Sequence, residues 1–584
     1  MPSAAQAAQR RWRLRPETPA VRDRLCREMR LHPIVAQILV HRGLEQADQV
    51  QEFFQPGLRQ LPDPSEFADM DRALSTLSKA VQTGSPILIH GDYDVDGTCG
   101  AALLMRLFRL LGHPVDVYLP DRIRDGYSFG KNSLEAIRHR GAQLVIAVDN
   151  GTTALEPLRQ LQASGVDVLI VDHHQPGAEL PPCAALLNPW CHDQADGEKK
   201  LFPYFCGAAV AFFLAWGFLR HWRGEQRLPE RDRRFLMDAL ALVAVATVAD
   251  VMPLTGPNRS LVHHGLRILP ECGFPGLRAL AKQCRLRPPL KAEDFGFRLC
   301  PRLNAAGRLG KTKMALDLLT TADPREAETL AQALEGLNQR RREIEQAEME
   351  RLMPAARKAV KDGQQALFLG HEDAHFGVLG VVANRLLDET GLPTLLWSRC
   401  MPEVARGSAR APAGSNLLQL LEPAADHLLG YGGHRQAAGF SFRPGCEQAI
   451  AEQIERQAAK LGPRQAPELE LDLETTPGEL TMQVAQGLES LAPFGAGNPA
   501  PKMLSCGLRL AESPRRLGDG SHASLWLESQ GHSVRVLAWR MADRLADLPA
   551  GTTLDVVFTP GLNEFRGRTR LEWTLIDFRS NQQP

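Results

Sequence analysis

No two cysteines in this chain have the Cys-x-x-Cys spacing, although eleven are present. A zinc ribbon needs such pairs, and an odd cysteine count makes a poor disulfide scaffold, so the usage fits a reducing, cytoplasmic compartment. Net charge is also missing: 68 basic and 68 acidic residues cancel. That excludes a uniformly basic nucleic-acid coat, and any polyanion must meet a local patch, rich in arginine rather than lysine. No apolar run reaches the ~18–20 residues that span a bilayer. The most apolar ones, 205-FCGAAVAFFLAWGFL-219 and 235-FLMDALALVAVATVA-249, read as buried helices, so no membrane association is expected. The first twenty residues lack an apolar h-region and predict no secretory signal. No Gly-x-x-x-x-Gly-Lys-Ser/Thr loop occurs, so no nucleotide-fuelled motor is recognisable. With 584 residues, 44% of them hydrophobic, the chain is too long for one core.

What is present is acid at particular places. The stretch 90-HGDYDVDGTCGAALL-104 imitates a calcium loop. A calcium loop of the EF-hand type needs a bidentate Glu at its twelfth position, and counting from Asp92 that position is Leu103. The flanks differ too. An apolar run, 86-PILIH-90, precedes the turn, and 98-TCGAALLMRLFRLLG-112 follows with helical spacing. The pattern is strand, acidic turn, helix.

The turn has two relatives. Residues 144-LVIAVDNGTT-153 form an apolar run ending in Asp149, and 168-VLIVDHHQPG-177 another ending in Asp172-His173-His174. A helical stretch closed by Gly165 lies between them, so a parallel sheet with right-handed crossovers is predicted. Such sheets place ligands at the carboxyl ends of their strands. Asp92, Asp94, Asp96, Asp149, Asp172, His173 and His174 therefore converge. So many carboxylates repel one another without cations, and oxygen-rich ligation with an imidazole suits Mg2+ or Mn2+. Two cations, with one carboxylate bridging, clamp the attacking and leaving oxygens of a phosphoryl displacement. Any one Asp at a strand end serves equally as a turn residue or helix cap; three motifs in one block favour the metal site. Asp250, in 245-VATVADVMPL-254, is a turn residue by itself and a fourth candidate ligand beside the others.

His90, Asp94 and Asp96, then Asp149, then Asp172-His173-His174, then Asp250 resemble the motif series of the DHH phosphoesterase superfamily. Farther on, 302-RLNAAGRLG-310, 375-HFGVLGVVANRL-386, 430-GYGGHRQAAGFSF-442 and 493-PFGAGNPAP-501 resemble its RecJ family of single-strand-specific 5′→3′ DNA exonucleases. That family commonly has Trp just before the His of the second of these segments; Ala374 stands here. The resemblance covers nearly the whole chain. It implies an α/β fold in which a parallel-sheet DHH domain and a smaller α/β DHHA1 domain are joined by a long helix, with an OB-like β-barrel at the C-terminus. The boundaries implied are an N-terminal segment 1–40, the DHH domain 41–322, the connecting helix 323–362, the DHHA1 domain 363–461 and the barrel 462–584.

The residues agree with this outline. From Asp323 to Val360 apolar positions recur at helical spacing, and Arg340-Arg341-Arg342 there is either a solvated face or a phosphate contact. After Gly462, runs such as 523-ASLWLES-529 and 570-RLEWTLIDF-578 alternate like strands. Arg566, Arg568, Arg570 and Trp573 in that region belong either to a solvated edge or to a groove for a single strand.

The site follows. The metal ligands are His90, Asp94, Asp96, Asp149, His173 and Asp250, with Asp92 and Asp172 supporting them from behind. Asp149, His173 and His174 carry the chemistry, His174 balancing charge on phosphoryl oxygens. Phosphates call for arginine and for loops that expose backbone N–H groups. The candidate contacts are Arg122 and Tyr127 in 120-PDRIRDGYSFG-130, Arg302 and Asn304, Arg308 on an open loop, and Gly432-Gly433-His434. Arg410, in 406-RGSAR-410, resembles a phosphate-binding position of the family. The expected activity is metal-dependent removal of mononucleotides from the 5′ end of single-stranded DNA in repair and recombination. The expected setting is a cytoplasmic monomer, with a single-strand-binding protein and a helicase as companions. Two alternatives stand: a DHH phosphodiesterase for short oligonucleotides or small phosphate esters, and a non-catalytic replication scaffold. The first has no need of the barrel, and the second loses ligand carboxylates that this chain keeps.

Overall fold

The computed structural model describes residues 10–580 except Tyr127, 192–201, 225–226, 462–467 and Arg566. Contacts divide the chain into two compact units, residues 58–464 and a second made of 1–57 with 465–584.

In the larger unit, β1 (Ile87–Gly91), β2 (Val115–Tyr118), β3 (Leu144–Val148), β4 (Asp167–Val171) and β5 (Ala185–Leu187) form one sheet in the order β2-β1-β3-β4-β5. All its pairings are parallel. Both β1 and β3 are buried along their whole length, as an unbroken apolar strand covered on both faces must be. Helix α1 (Val95–Leu111) returns from β1 and stops at Gly112, which takes the left-handed conformation. Helices α2 (Gly207–Arg223) and α3 (Glu230–Ala249) are the two apolar runs of the sequence, and both are buried beside α1 in one core. No helix of the described residues is long and apolar enough to cross a membrane.

Helix α4 (Cys300–Arg308) precedes the long α5 (Pro324–Lys361), which Asp323 caps by accepting the Arg325 N–H at 2.9 Å. On α5, Arg340 and Arg342 are exposed, and each lies within 3.5 Å of a glutamate. Arg341 instead lies half-buried against Glu345. A second sheet follows, built from β6 (Leu367–His371), β7 (Thr394–Met401), β8 (Val404–Arg410), β9 (Leu428–Gly433) and β10 (Ala437–Phe442), in the order β9-β10-β8-β7-β6. Helix α6 (Phe376–Thr390) packs on it. At the start of α6, a Cβ on Gly377 would lie 1.9 Å from the Arg308 carbonyl oxygen, so the glycine lets α6 seat directly on the end of α4.

In the smaller unit, β11 (Met503–Leu510), β12 (Arg515–Leu517), β13 (His522–Ser529), β14 (His532–Ala538), β15 (Thr553–Phe565) and β16 (Arg568–Ser580) form a barrel, closed by pairing of β11 with β13. Its core includes Val35, Ile38 and Leu39 from the helix Pro33–His41, and the strand Arg11–Leu14 pairs with Glu468–Leu471. The N-terminal segment thus packs with the barrel. A boundary at residue 40 falls inside a helix, and residues 41–57 belong to this unit rather than to the first sheet's. Trp573 is fully buried and stacks on Phe558 at 3.6 Å between ring centroids, which makes it core and not a base contact. Arg566 and the Arg568 side chain lie outside the described residues.

Candidate active site

The acidic turn between β1 and α1 is a helix start built from aspartates. Asp94 is the N-cap, and its Oδ1 accepts the Gly97 N–H at 3.1 Å. A Cβ on Gly97 would lie 2.4 Å from the Asp92 backbone nitrogen, so only glycine lets the turn fold back over Asp92. Asp96 points to the start of α2, where its two oxygens accept the Gly207 and Ala208 N–H groups at 2.6 and 2.8 Å. A carboxylate at a helix N-terminus is favoured by the helix dipole and by unpaired N–H groups.

Asp149 ends β3 with φ +61°, a left-handed conformation that aspartate tolerates better than most residues. Gly207 touches it, since a Cβ there would lie 2.7 Å from the Asp149 Cβ and 3.0 Å from its Cα. Gly207→Ala is expected to displace this carboxylate and cut turnover about tenfold to a hundredfold, with helical content kept. Steady-state kinetics beside circular dichroism checks this; unchanged turnover would show that Asp149 has latitude.

Beyond β4, Asp172 is a hub. It accepts the Thr152 N–H at 3.0 Å, the His173 N–H at 2.8 Å and the His174 Nδ1–H at 2.7 Å. Burial alone would raise its carboxyl, but these bonds and the His174 charge hold it well below the usual carboxylate range. Burial lowers the His174 imidazole in turn, yet Asp172, with Asp250 and Asp96, outweighs it and raises the ring to about 9. His173 reaches the other way. Its Nε2 lies 3.1 Å from Asp149, 3.5 Å from Asp250 and 3.7 Å from Asp96.

Three groups of ligand atoms result: Asp92 with Asp94 and Asp149, Asp96 with His173 and Asp250, and Asp149 with Asp172, His173 and His174, which shares a residue with each of the others. The Asp92 Oδ1 and Asp250 Oδ2 atoms are buried and accept no hydrogen bond. Burial, then the charge of Asp94, raises the Asp92 carboxyl; burial, then the charges of Asp96 and Asp94, raises those of Asp149 and Asp250. Orphaned buried carboxylate oxygens held in mutual repulsion are what divalent cations relieve, so the donor set fits oxygen-seeking ions such as Mg2+ and Mn2+.

The cluster differs from the sequence expectation at both ends of the first motif. His90 is not brought to it. Its ring stacks on Phe129, with Nδ1 3.2 Å from the Asn150 Oδ1 and Nε2 3.1 Å from the Ser133 Oγ. Burial pushes this imidazole down to about 4, which keeps it neutral as a support under the β1–β3 strand ends. Asp92, expected to stand behind the ligands, sits among them.

The substrate candidates divide likewise. Arg302 pairs with Glu335 on α5 and is a structural ion pair rather than a phosphate contact. Arg308 is the last residue of α4, not part of an open loop. Its Nη1 donates to the Gly377 carbonyl at 3.2 Å while its buried Nε donates to nothing. Burial, then the neighbouring Arg122 charge, lowers Arg308 to about 10, and the same two causes lower Arg410. Arg122 lies over the Tyr93 ring, 4.9 Å from its centroid, and its charge offsets part of the rise that burial and neighbouring aspartates impose on the Asp92 and Asp94 carboxyls. Among the described residues no ion pair joins Arg122, Arg308 or Arg410 to a carboxylate. Asn304 is half-buried on α4. Gly432, Gly433 and His434 are exposed at the edge strand of the second sheet, and among the described residues no hydrogen bond ties them to the carboxylates. Tyr127 lies outside the described residues. The sequence reading missed Asn150 and Gly207. Asn150 followed Asp149 directly in the quoted motif, whereas Gly207 carried no local signal.

Known proteins are similar to this chain in sequence and fold. The family model described as DHH family, N-terminal domain, matches residues 86–247; that of the DHHA1 domain matches 363–460, and that of the RecJ OB domain 471–577. The single-stranded-DNA-specific exonuclease RecJ of Thermus thermophilus is 34% identical over 97% of this chain and 78% of its own length. Its namesake from Escherichia coli is 30% identical over 93% of this chain and 95% of its own. The crystal structure of Thermus thermophilus RecJ in complex with Mn2+ superposes with a TM-score of 0.82, at 34% identity, over 98% of this chain and 80% of that one. Its counterpart in complex with Mg2+ gives 0.77 at 31% identity, covering 98% and 79%. With full-length identity at this level, and with strand-end aspartates and paired histidines arranged as described, the chain belongs to the RecJ family of single-stranded-DNA-specific exonucleases.

Proposed function

We propose that this chain removes mononucleotides from the 5′ end of single-stranded DNA. Two divalent cations, Mn2+ or Mg2+, would be held by Asp92, Asp94, Asp96, Asp149, His173 and Asp250. The observation that carries this reading is a juxtaposition. Carboxylates with orphaned oxygens feel the charge of Arg122, which in turn acts on Arg308 and Arg410, and among the described residues none of these three guanidiniums is ion-paired with a carboxylate. When bound, the cations supply Lewis acidity toward a phosphoryl oxygen and lower the pKa of water. The chain's own residues do the rest. Asp172 orients His174 and keeps it protonated, which suits that ring to balance charge on a phosphoryl oxygen. The three arginines suit a terminal phosphate, the exposed Gly432-Gly433-His434 edge suits a strand leaving the site, and 5′ polarity follows the family resemblance. We place the protein in the cytoplasm as a monomer working in DNA repair and recombination, fed by a helicase and accompanied by a single-strand-binding protein.

End-labelled single-stranded DNA, incubated with Mn2+, Mg2+ or chelator, tests the proposal. Mononucleotides should appear only with metal and only from the 5′ end. Release from the 3′ end, or undiminished activity in chelator, would defeat it.

A phosphodiesterase for very short oligonucleotides shares every metal residue, and the barrel separates the two readings. In place of Trp573, two other tryptophans are available there. Trp526 on β13 is 39% exposed, and Trp539, just past β14, is 52% exposed and 5.0 Å from the His522 ring. Trp526 lies opposite Arg535 in the register, and Glu572 holds that guanidinium at 2.9 Å, so the exposed rings are what suit this surface to base stacking. Trp526→Ala and Trp539→Ala should each weaken capture of a long single strand about tenfold, leaving hydrolysis of a very short oligonucleotide unaltered. Fluorescence anisotropy with long and short strands measures this; unaltered long-strand affinity after both substitutions would favour the short-oligonucleotide reading.

A further inference from the structure

Tyr93 sits between two aspartates of the acidic turn and touches both halves of the site. Its carbonyl oxygen meets α4, since a Cβ on Gly307 would lie 2.3 Å from it, and the next residue is Arg308. Its ring carries Arg122 at 4.9 Å. The loop around Arg122 is held by its backbone. Asp121 accepts the Ile123 N–H at 2.8 Å, Asp125 accepts the Asp121 N–H at 2.7 Å, and the Ile123 carbonyl accepts from Arg406 on β8 at 3.1 Å. None of these bonds reaches the Arg122 guanidinium. Among the described residues, the Tyr93 ring is the one partner of that guanidinium by hydrogen bond, ion pair or ring contact.

The geometry points to Tyr93 as a positioning residue that holds the Arg122 guanidinium at a set distance from the Asp92–Asp94 carboxylates and so registers the substrate phosphate against the metal site. A planar guanidinium stacks flat on an aromatic face, which removes rotamers that a solvated arginine would populate. The ring belongs to the same turn as the carboxylates, so the distance between charge and ligand is built into one stretch of backbone. This inference rests on the reading of Arg122 as a phosphate contact.

A double-mutant cycle on Tyr93 and Arg122 tests it, with a 5′-phosphorylated oligothymidylate as substrate and Mn2+ content measured in each variant. Tyr93→Leu should raise KM about five- to tenfold while kcat and Mn2+ content hold, and Tyr93→Phe, which keeps the aromatic face, should restore KM. In an Arg122→Ala background, Tyr93→Leu should change nothing further. The same rise in KM in both backgrounds would overturn the inference, and so would loss of Mn2+ from Tyr93→Leu or a Tyr93→Phe variant that behaves like Tyr93→Leu. If Arg122→Ala alone leaves KM unaltered, Arg122 is no phosphate contact and the role of Tyr93 falls with it, whereas the metal site is judged separately by the Mn2+ content.

Discussion

Asp149→Asn should leave a folded protein whose turnover on single-stranded DNA falls on the order of a thousandfold. Asparagine is the informative choice. Residue 149 adopts φ +61°, and asparagine enters the left-handed region readily while alanine does not. Asp149→Ala would therefore mix backbone strain with loss of charge. Asp149 stands with Asp92 and Asp94 on one side and 3.1 Å from His173 on the other, so its loss weakens both groups of ligand atoms. The metal-free protein should respond in the opposite sense. Burial and the neighbouring aspartates hold the Asp149 carboxyl well above its ordinary range, so the charged form is disfavoured in the folded state. Removing that charge should raise the melting temperature in chelator and shrink the further rise on adding Mn2+. Thermal denaturation with and without Mn2+, beside single-turnover hydrolysis, checks all three. Near-normal turnover in the folded variant would end the two-cation assignment.

Blunt duplex DNA should resist the pure protein at least about a hundredfold more than a free single strand of the same sequence, because each terminal base pair is held by stacking of roughly 1–2 kcal/mol. No nucleotide-fuelled motor loop is present to separate strands. On the proposed reading the carboxylates of the first sheet and the arginines around α4 and β8 would grip a single backbone, and Gly377 seats α6 directly on the end of α4. A duplex is about 20 Å wide, so a passage that grips one strand should stall where pairing begins. Time courses on blunt, 5′-overhanging and single-stranded substrates of one sequence supply the comparison. Rapid digestion of the blunt duplex without a helicase would contradict it.

Much of this was legible because it is local. The strand, acidic turn and helix at residues 86–112 appear where the apolar periodicity changes, and the same holds for the strand ends at Asp149 and Asp172. The long helix was marked by its repeat and by Asp323 as its cap. Where the reading went astray, the deciding partner lay far off in sequence. His90 was grouped with its neighbours in the motif, but Asn150 and Ser133 hold its ring elsewhere. Arg302 appeared free until Glu335 came alongside on another helix. Trp573 resembled a binding aromatic until Phe558 covered it.

The sequence by itself determined the class of chemistry. Carboxylates at the ends of parallel strands, a histidine pair and the absence of a motor loop follow from residue type and spacing, since a strand's direction and a helix's start are set by a few adjacent residues. Only the tertiary structure decided which of those carboxylates keep an orphaned oxygen for a cation, which arginines have no ion-paired carboxylate among the described residues, and that residues 10–57 pack with the C-terminal barrel. Those outcomes depend on burial and on contacts hundreds of residues apart. The cost of an unpaired charge, and hence its use, exists only once solvent has been excluded around it.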